Sequence, residues 1–372
     1  MIPKTMLQRK QFQFTRLINL CLSIQFIFSV SGCKNAGRWS QISSLHTARY
    51  LHTATHLSDG KILVIGGDGE KNRLSSCEIY NVTQDTWKEI SQLNEARRNH
   101  STIQLPDGKF LVIGGFGENG RIRTCEIYDP CNDVWTPTSS MKYVRVSHTA
   151  TLLPSGKILV VGGKGNQTLA KSCEIYDPTT HKWTETDSLN TGRMAHTATL
   201  LPDGRVVVIG GYRFEGNSEI KNCEIYDPAT KKWHDTNPLI YARDGHTATL
   251  LPNGKILVSG GVSIKGNLKI CELYDPATDN FNETGAMRTP RDGHTATLLQ
   301  NGKVLVAGGF DGNNFLSTCE IYTPDTGEWS DAASMVSGRS GHTATSLSNG
   351  KVLVIGGGFE TSLTNSCEIF SY

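Results

Sequence analysis

A motif of about 48 residues occurs seven times between residue 38 and the end of the chain. Each copy holds His-Thr-Ala-Thr, or His-Ser-Thr-Ile once, then a Gly-Gly pair that begins fourteen residues after the histidine, then Cys-Glu-Ile-Tyr or a near copy. A repeat of this length is one supersecondary unit that cannot bury its own apolar face, so the seven copies are expected to pack into a single array. The histidines are His52, His100, His148, His196, His246, His294 and His342. The cysteines are Cys77, Cys125, Cys173, Cys223, Cys271, Cys319 and Cys367.

The charge of the chain divides unevenly between the N-terminus and the repeats. The 372 residues include 37 Lys and Arg against 35 Asp and Glu, but residues 1–33 hold four basic residues and no acidic one. The rest of the chain therefore has 33 basic and 35 acidic residues. A nucleic-acid-binding domain usually carries a basic excess, so nucleic acid is not expected as a partner.

Residues 1–33 have the layout of an export signal. Four basic residues precede an apolar segment of fourteen residues, 17–30, which is too short to span a bilayer because about 20 are needed. Val30-Ser31-Gly32-Cys33 then resembles the bacterial lipobox, in which the cysteine becomes the lipidated first residue. We expect lipidation at Cys33 and a short linker at 34–37, hence an exported protein anchored to a bacterial membrane, in the periplasm or at the cell surface. An ordinary secretory signal peptide is the alternative.

Each repeat is expected to form four short antiparallel strands, A to D. Strand A is the His-Thr-Ala-Thr segment, and a turn such as Pro202-Asp203-Gly204-Arg205 leads into the apolar strand B, which ends at the glycines. Strand C is the Cys-Glu-Ile-Tyr segment, and strand D opens on an aromatic residue. The aromatic residues are Trp87, Trp135, Trp183, Trp233, Phe281 and Trp329.

Four strands, paired glycines and a late tryptophan at this period resemble the Kelch repeat of β-propellers. The resemblance covers residues 38–372 and implies an all-β fold, a seven-bladed Kelch-type β-propeller. The last copy lacks its strand D, because only five residues follow Cys367. Trp39 precedes the first histidine by the usual thirteen residues, so the N-terminal strand is expected to complete the seventh blade as its outer strand.

This closure predicts which face of the propeller each loop occupies. The A–B and C–D turns share one face, and the B–C loops and D–A crossovers share the other. The break in the ring falls in a C–D turn, so both termini should emerge on the A–B face. Residues 34–37 reach at most about 14 Å from Cys33. A lipid at Cys33 would therefore turn the A–B face toward the membrane and the B–C face outward.

The outward loops differ most between repeats, and Kelch-family ligand residues tend to come from them. Aromatic rings together with Asn, Asp and Arg suit a sugar or an extended peptide, although a solvated loop surface has the same composition. The expected ligand-binding residues are Tyr50, Arg98, Asn99, Phe116, Arg121, Tyr212, Phe214, Asp244, Asp292, Phe310, Asn313, Phe315 and Phe359.

Residues present once in every repeat are expected to build the scaffold. Seven equivalent histidines surround a channel too wide for one metal ion, so no metal site is predicted, and the histidines should bond backbone and hold adjacent blades. An arginine three residues before each histidine and the glutamate after each strand-C cysteine should form a structural ion pair. The strand-C cysteines should be buried free thiols, because equivalent positions in different blades lie too far apart for disulfides. Cys131, in a C–D turn, should be exposed.

Two classes of function remain open. The first is an exported binding module that recognises a protein or a glycan through its B–C and D–A loops, as a monomer and without a cofactor. The second is a carbohydrate-active enzyme, because Kelch-type propellers include a galactose oxidase and a sialic acid mutarotase. No set of tyrosine and histidine copper ligands breaks the repeat, and no catalytic residue is assigned. Asp244 and Asp292 are the nearest approach to a carboxylate pair for acid–base work. The binding module is the favoured reading.

Overall fold

The computed structural model describes residues 36–165, 171–213, 216, 218–359 and 362–372, with the backbone alone at Phe359. Cys33 and Phe214 lie outside the described residues. The described residues form seven four-stranded antiparallel sheets and no α-helix, as the repeat predicts. In the described part of the chain, no helix has the length and apolar character needed to cross a membrane.

The strands follow the repeat copy by copy. Blade 7 takes β1 (Arg38–Ile42) from the N-terminus. Blades 1 to 3 contain β2 (Thr53–His56), β3 (Ile62–Ile65), β4 (Cys77–Asn81) and β5 (Thr86–Ile90); β6 (Ser101–Gln104), β7 (Phe110–Ile113), β10 (Cys125–Asp129) and β11 (Val134–Thr138); and β12 (Thr149–Leu152), β13 (Ile158–Val161), β14 (Cys173–Asp177) and β15 (Lys182–Thr186). The B–C loop of blade 2 adds the hairpin β8 (Phe116–Gly117) and β9 (Gly120–Arg121).

The remaining blades repeat this arrangement. Blades 4 and 5 contain β16 (Thr197–Leu200), β17 (Val206–Ile209), β20 (Cys223–Asp227) and β21 (Lys232–Thr236); and β22 (Thr247–Leu250), β23 (Ile256–Ser259), β26 (Cys271–Asp275) and β27 (Asn280–Glu283). Blades 6 and 7 contain β28 (Thr295–Leu298), β29 (Val304–Ala307), β30 (Cys319–Thr323) and β31 (Glu328–Ala332); and β32 (Thr343–Ser346), β33 (Val352–Ile355) and β36 (Cys367–Ser371). Their loop hairpins are β18 (Tyr212–Arg213) with β19 (Ser218–Glu219), β24 (Val262–Ser263) with β25 (Gly266–Asn267), and β34 (Gly358–Phe359) with β35 (Ser362–Leu363).

The hydrophobic core lies between neighbouring blades. Every residue of β13 is fully buried, because its alternate side chains enter two different clusters. Leu159 and Val161 pack with residues of blade 4, whereas Ile158 and Val160 pack with residues of blade 2. The strand-C thiols belong to the same clusters and are free and buried, and burial raises the pKa of Cys173 to about 12. The prediction of inert buried thiols is confirmed, as is the exposure of Cys131.

The N-terminal strand closes the ring as predicted. β1 pairs with β36 over its full length, from Arg38 opposite Ser371 to Ile42 opposite Cys367. The Nε1 of Trp39 donates to the carbonyl of Ala333 in blade 6 at 2.8 Å, so the added strand also binds the preceding blade. Gly37 has a φ of +72°, and a Cβ there would lie 2.2 Å from the ring of Phe370. The entry of the closing strand therefore requires glycine.

The recurring Arg–Glu pairs fasten each crossover to the blades on both sides, which confirms them as structural ion pairs. The carbonyl of Arg49 accepts a hydrogen bond from Gly357 in blade 7, while its Nη1 donates to Gly66 in blade 1 at 2.8 Å. Its Nη2 lies 2.6 Å from Glu78, and both side chains are fully buried. The equivalent pairs are Arg97–Glu126, Arg145–Glu174, Arg193–Glu224, Arg243–Glu272, Arg291–Glu320 and Arg339–Glu368.

Six of the seven histidines hold adjacent blades together as predicted, and they do so through a side-chain partner where a backbone partner was expected. In these six, Nε2 bonds the threonine hydroxyl of strand A in the preceding blade, for example His196 with Thr149 at 2.9 Å. Blade 2 has Ser101 in place of that threonine, and the serine hydroxyl bonds the carbonyl of His148 instead. The imidazole of His148 has no hydrogen-bond partner in the described part of the chain, and burial lowers its pKa to about 3.

Candidate ligand-binding face

We call the face that carries the D–A crossovers and the B–C loops the outward face, and on it each blade brings its crossover and its loop together in a short antiparallel pairing. The crossover residue after the recurring arginine lies opposite the residue after Gly-Gly, and that residue lies opposite a third residue further along the loop. Directly opposed residues project to the same side of such a pairing with Cβ atoms about 5 Å apart. Six blades therefore display a cross-strand row of three residues, and in blade 7 the middle residue is a glycine. The row of blade 3 has two described members.

The cross-strand rows contain most of the predicted ligand-binding residues. They are Tyr50, Asp68 and Arg73 in blade 1; Arg98, Phe116 and Arg121 in blade 2; Val146 and Lys164 in blade 3; Met194, Tyr212 and Glu219 in blade 4; Asp244, Val262 and Asn267 in blade 5; Asp292, Phe310 and Phe315 in blade 6; and Ser340, Gly358 and Leu363 in blade 7.

The Gly-Gly pairs allow the loops to approach the crossovers this closely. Gly114 and Gly115 have φ values of +54° and +106°, in the region that side chains rarely adopt. A Cβ on Gly115 would lie 2.7 Å from the carbonyl of Arg98. The second glycine of the pair therefore leaves room for the crossover, and the loop residue that follows pairs with it.

The channel is encircled at this face by a closed ring of seven backbone hydrogen bonds. In each blade, one residue directly follows the crossover member of the row, as Leu51 follows Tyr50, and this residue has a positive φ. Its backbone N–H donates to the backbone carbonyl of the equivalent residue in the preceding blade, at 3.1 to 3.4 Å. The ring residues are Leu51, Asn99, Ser147, Ala195, Gly245, Gly293 and Gly341. The predicted ligand residue Asn99 thus belongs to this ring. Sequence reasoning missed the ring, because four of its positions are not glycine.

Two guanidinium groups, one from blade 1 and one from blade 2, lie against the phenyl ring of Phe116. The guanidinium carbons of Arg73 and Arg98 lie 4.7 and 5.3 Å from the ring centre of Phe116, and Arg121 is its cross-strand partner. Arg98 also pairs with Asp68 at 2.5 Å. We call Arg73, Arg98, Arg121 and Phe116 the arginine cluster. Arg73 was not among the residues predicted to bind ligand. It has the same position in the B–C loop of blade 1 that Arg121 has in the loop of blade 2, so this equivalence is the signal that could have identified it.

Blades 5 and 6 present carboxylates on the same face. The Oδ1 of Asp292 accepts a hydrogen bond from Asn267 at 2.7 Å, whereas the buried Oδ1 of Asp244 has no partner within the described residues. Burial, and then the charges of Glu219 and Asp292, raise the pKa of Asp244 to about 6. Burial also raises the pKa of Asp292. Burial and then the charge of Asp292 raise the pKa of Tyr50.

The other predicted residues are spread over the face. Phe310 and Phe315 pack on each other with ring centres 5.0 Å apart. Tyr212 is half-buried between its row neighbours. Asn313 lies outside the rows at an exposed loop tip, where its N–H donates to the carboxylate of Asp311 at 2.8 Å. No group of three or more His, Cys, Asp or Glu side chains that could hold a metal ion occurs among the described residues.

The face with the A–B and C–D turns carries a cleft of about 540 Å³ between blades 1 and 2. Its lining includes Lys61, Lys88, Tyr128 and the exposed thiol of Cys131. None of the residues predicted to bind ligand contributes to this cleft, so it is separate from the cross-strand rows.

Comparison with known proteins agrees with this architecture. A fungal alcohol oxidase of the AA5 family, solved in complex with copper, superposes with a TM-score of 0.76 at 19% identity over 91% of this chain and 76% of its own. The structure of YjhT superposes with a TM-score of 0.61 at 15% identity over 78% of this chain and 99% of its own. At these identities both show the fold alone. No curated protein matches the chain. Residues 26–211 and 195–372 match the family described as the KLHDC2/KLHL20/DRC7 Kelch-repeats domain, and the chain therefore belongs to this Kelch-repeat family.

Proposed function

We propose that this protein is an exported binding module that recognises a partner protein through the cross-strand rows of its outward face. The observation that carries the proposal is the contrast between scaffold and rows. The Arg–Glu pairs recur in all seven blades, whereas the rows differ: blade 2 has two arginines, blade 5 has one carboxylate and an asparagine, and blade 6 has one carboxylate and two phenyl rings. Variable side chains on a rigid repeated frame are the usual arrangement of a recognition surface.

The charge of the rows favours a polypeptide over a polyanion. The arginine cluster lies in blades 1 and 2, and Asp244 and Asp292 lie in blades 5 and 6. A protein surface carries both signs of charge and can complement both sectors. A sulfated glycan or a nucleic acid would gain at the first sector and be repelled at the second. Glycan binding remains an alternative outcome of the test.

The test is affinity capture with the full chain and two variants, each of which is changed on one face only. The face variant replaces Tyr50, Arg98, Tyr212, Asp292 and Phe315 by alanine. The control variant replaces Lys61, Lys157 and Lys255, which lie in A–B turns on the opposite face, by alanine.

We expect the wild type and the control to retain the same partner and the face variant to lose it. Equal capture by all three proteins would refute recognition through the rows. Capture of a glycan rather than a protein, with loss in the face variant, would keep the face and change the ligand class.

Membrane anchoring through Cys33 is the second part of the proposal. It rests on the lipobox-like Val30-Ser31-Gly32-Cys33 after an apolar segment. Cys33→Ala should abolish metabolic labelling with palmitate and release the protein from membranes. Cys131→Ala, which removes the exposed thiol of the propeller, is the matched control and should leave labelling unchanged. Labelling that persists in Cys33→Ala would remove the lipoprotein assignment.

One observation favours a second function, acid–base catalysis on a carbohydrate. A carboxyl group whose pKa is about 6 can deliver a proton near neutral pH, and Asp244 has this property beside Asp292. Anomer exchange of aldoses, followed by NMR, is the measurement. Loss of this activity in Asp244→Asn would support an enzymatic function. Activity that the substitution leaves unchanged would refute a catalytic role of Asp244.

A further inference from the structure

We propose that the arginine cluster is a carboxylate-binding subsite that takes an acidic side chain of the partner protein. The inference rests on the proposed function and names the chemistry of one part of the same face. The arginine cluster has three guanidinium groups, and among the described residues the carboxylate of Asp68 is the one ion-pair partner they have. The cluster and Asp68 together therefore keep an excess of two positive charges.

The backbone holds the cluster in a defined arrangement. Arg98 lies opposite Phe116 in the crossover pairing, and Phe116 lies opposite Arg121 in the β8–β9 hairpin. All three side chains therefore project to the same side. Arg73 reaches the same ring from the B–C loop of blade 1. The guanidinium groups of Arg73 and Arg98 are held against an aromatic ring and lose less conformational freedom when they bind a ligand, so this part of the subsite is ordered in advance.

The hydrogen-bond donors of the cluster are poorly satisfied. A guanidinium has five N–H donors, and the buried Nε atoms of Arg73, Arg98 and Arg121 have no acceptor among the described residues. The guanidinium groups of Arg73 and Arg121 form no ion pair within the described part. Scaffold arginines such as Arg49 also have an unbonded Nε, but Arg73 and Arg121 combine it with the lack of an ion pair on a single patch, and this combination points to an acceptor supplied from outside.

Asp68 indicates which acceptor fits. Its Oδ2 accepts a hydrogen bond from the Nη1 of Arg98 at 2.5 Å, so one carboxylate already occupies an edge of the cluster. A planar carboxylate matches the fork of an arginine better than a spherical anion does. An incoming carboxylate would use the donors of Arg73 and Arg121 that Asp68 leaves free. Asp68 would repel this second carboxylate, which limits affinity.

The position of the cluster favours a side chain of a polypeptide over a polyanionic glycan. A single Asp or Glu side chain can enter blades 1 and 2 without extending over the carboxylates Asp244 and Asp292. A sulfated chain long enough to cross the face would meet them. The subsite therefore favours acidic side chains of a short segment that stays over blades 1 and 2.

The test uses a fluorescein-labelled, N-acetylated hexaglutamate peptide as probe, with hexaglutamine, heparin and sulfate as comparison ligands, and fluorescence anisotropy as readout at low ionic strength. Three full-chain variants are compared with the wild type. Arg121→Gln removes one cluster charge, and Asp68→Asn removes the internal carboxylate. Arg123→Gln removes an exposed charge two residues away and is the matched control.

We expect hexaglutamate to bind, Arg121→Gln to weaken it at least tenfold and Asp68→Asn to strengthen it severalfold. Arg123→Gln should change the affinity less than twofold. Thermal unfolding of each variant checks that the fold is kept. The opposite signs of the two cluster variants separate a binding role from a structural one, because a structural role would lower binding in both.

Absence of hexaglutamate binding, or equal losses in Arg121→Gln and Arg123→Gln, would overturn the subsite. Heparin that binds more tightly than hexaglutamate, with the same dependence on Arg121, would indicate that the ligand is an anionic glycan and not an acidic side chain. This result would also overturn the proposal. If the face variant loses its partner but Arg121→Gln retains it fully, the inference fails and the proposed function stands. If the face variant keeps its partner, the proposed function itself fails.

Discussion

Glu78→Gln tests whether the repeated ion pairs hold the propeller together. Glu78 is fully buried, and its carboxylate accepts hydrogen bonds from the Nη2 of Arg49 at 2.6 Å and from the backbone N–H groups of His46 and Thr47 at 2.8 and 3.3 Å. Glutamine is nearly the same size but leaves the guanidinium of Arg49 buried without a counter-charge. Its amide NH₂ would also face donors on at least one side. Removing one partner of a buried ion pair costs about 3–5 kcal/mol.

The expected change in melting temperature follows from the size of the unit Ala36–Tyr372. Unfolding entropy is about 2.1 cal/mol/K per residue, or roughly 0.7 kcal/mol/K for a unit of this length, so the loss corresponds to about 4–7 °C. Circular dichroism on heating and equilibrium unfolding in urea measure it. Glu89→Gln is the matched control, because Glu89 is exposed and lies directly opposite Glu78 on β5. If the two variants melt within about 1 °C of each other, the Arg–Glu pairs do not carry the stability assigned to them.

Three other perturbations test separate parts of the structure. Deletion of residues 37–44 removes the closing strand and should lower the melting temperature sharply; an unchanged melting curve would contradict the closure. Ser101→Thr should supply the missing partner of His148 and raise the free energy of unfolding by about 1 kcal/mol, measured in urea; no gain would mean that the serine is not the cause of the unpaired imidazole. The pKa of Asp244 is raised to about 6 in the folded state, so its protonated form stabilises the fold at low pH and this stabilisation is lost as pH rises through 6. Asp244→Asn should therefore raise the melting temperature at pH 7.5 more than at pH 4.5, and a gain that does not vary with pH would refute this.

Most of the fold could be predicted because each repeat has the same turn, apolar strand and glycine positions. The apolar strand B between a turn and a Gly-Gly pair fixes two strands and their register, and seven copies make the blade count certain. The closing strand could be predicted from one spacing, that of Trp39 to His52, because the missing strand D of the last copy had to come from elsewhere. These inferences use only periodicity along the chain.

The candidate site depends on contacts that periodicity does not report. The sequence placed Arg98, Phe116 and Arg121 in outward loops, but nothing in their spacing shows that they form one cross-strand row. Arg73 has the same loop position in blade 1 as Arg121 in blade 2, but its contact with Phe116 crosses the boundary between two blades, so no pattern within one repeat could show that contact. The histidine bonds were misassigned for a related reason. Their partner is the threonine hydroxyl of the neighbouring copy, such as that of Thr149 for His196, where a backbone partner was expected.

The backbone ring explains why the outward face is uneven despite the sevenfold scaffold. Blades 1 to 4 keep side chains at the ring positions although each has a left-handed backbone, which costs roughly 1–2 kcal/mol per non-glycine residue. Blades 5 to 7 have glycine there, and a Cβ on Gly341 would lie 2.0 Å from the ring of Tyr50. A Cβ on Gly293 would likewise meet the hydroxyl of Ser340. In blades 6 and 7 the ring glycine therefore leaves room for the crossover side chain of the next blade, so the rows of Ser340 and Tyr50 lie against the ring itself.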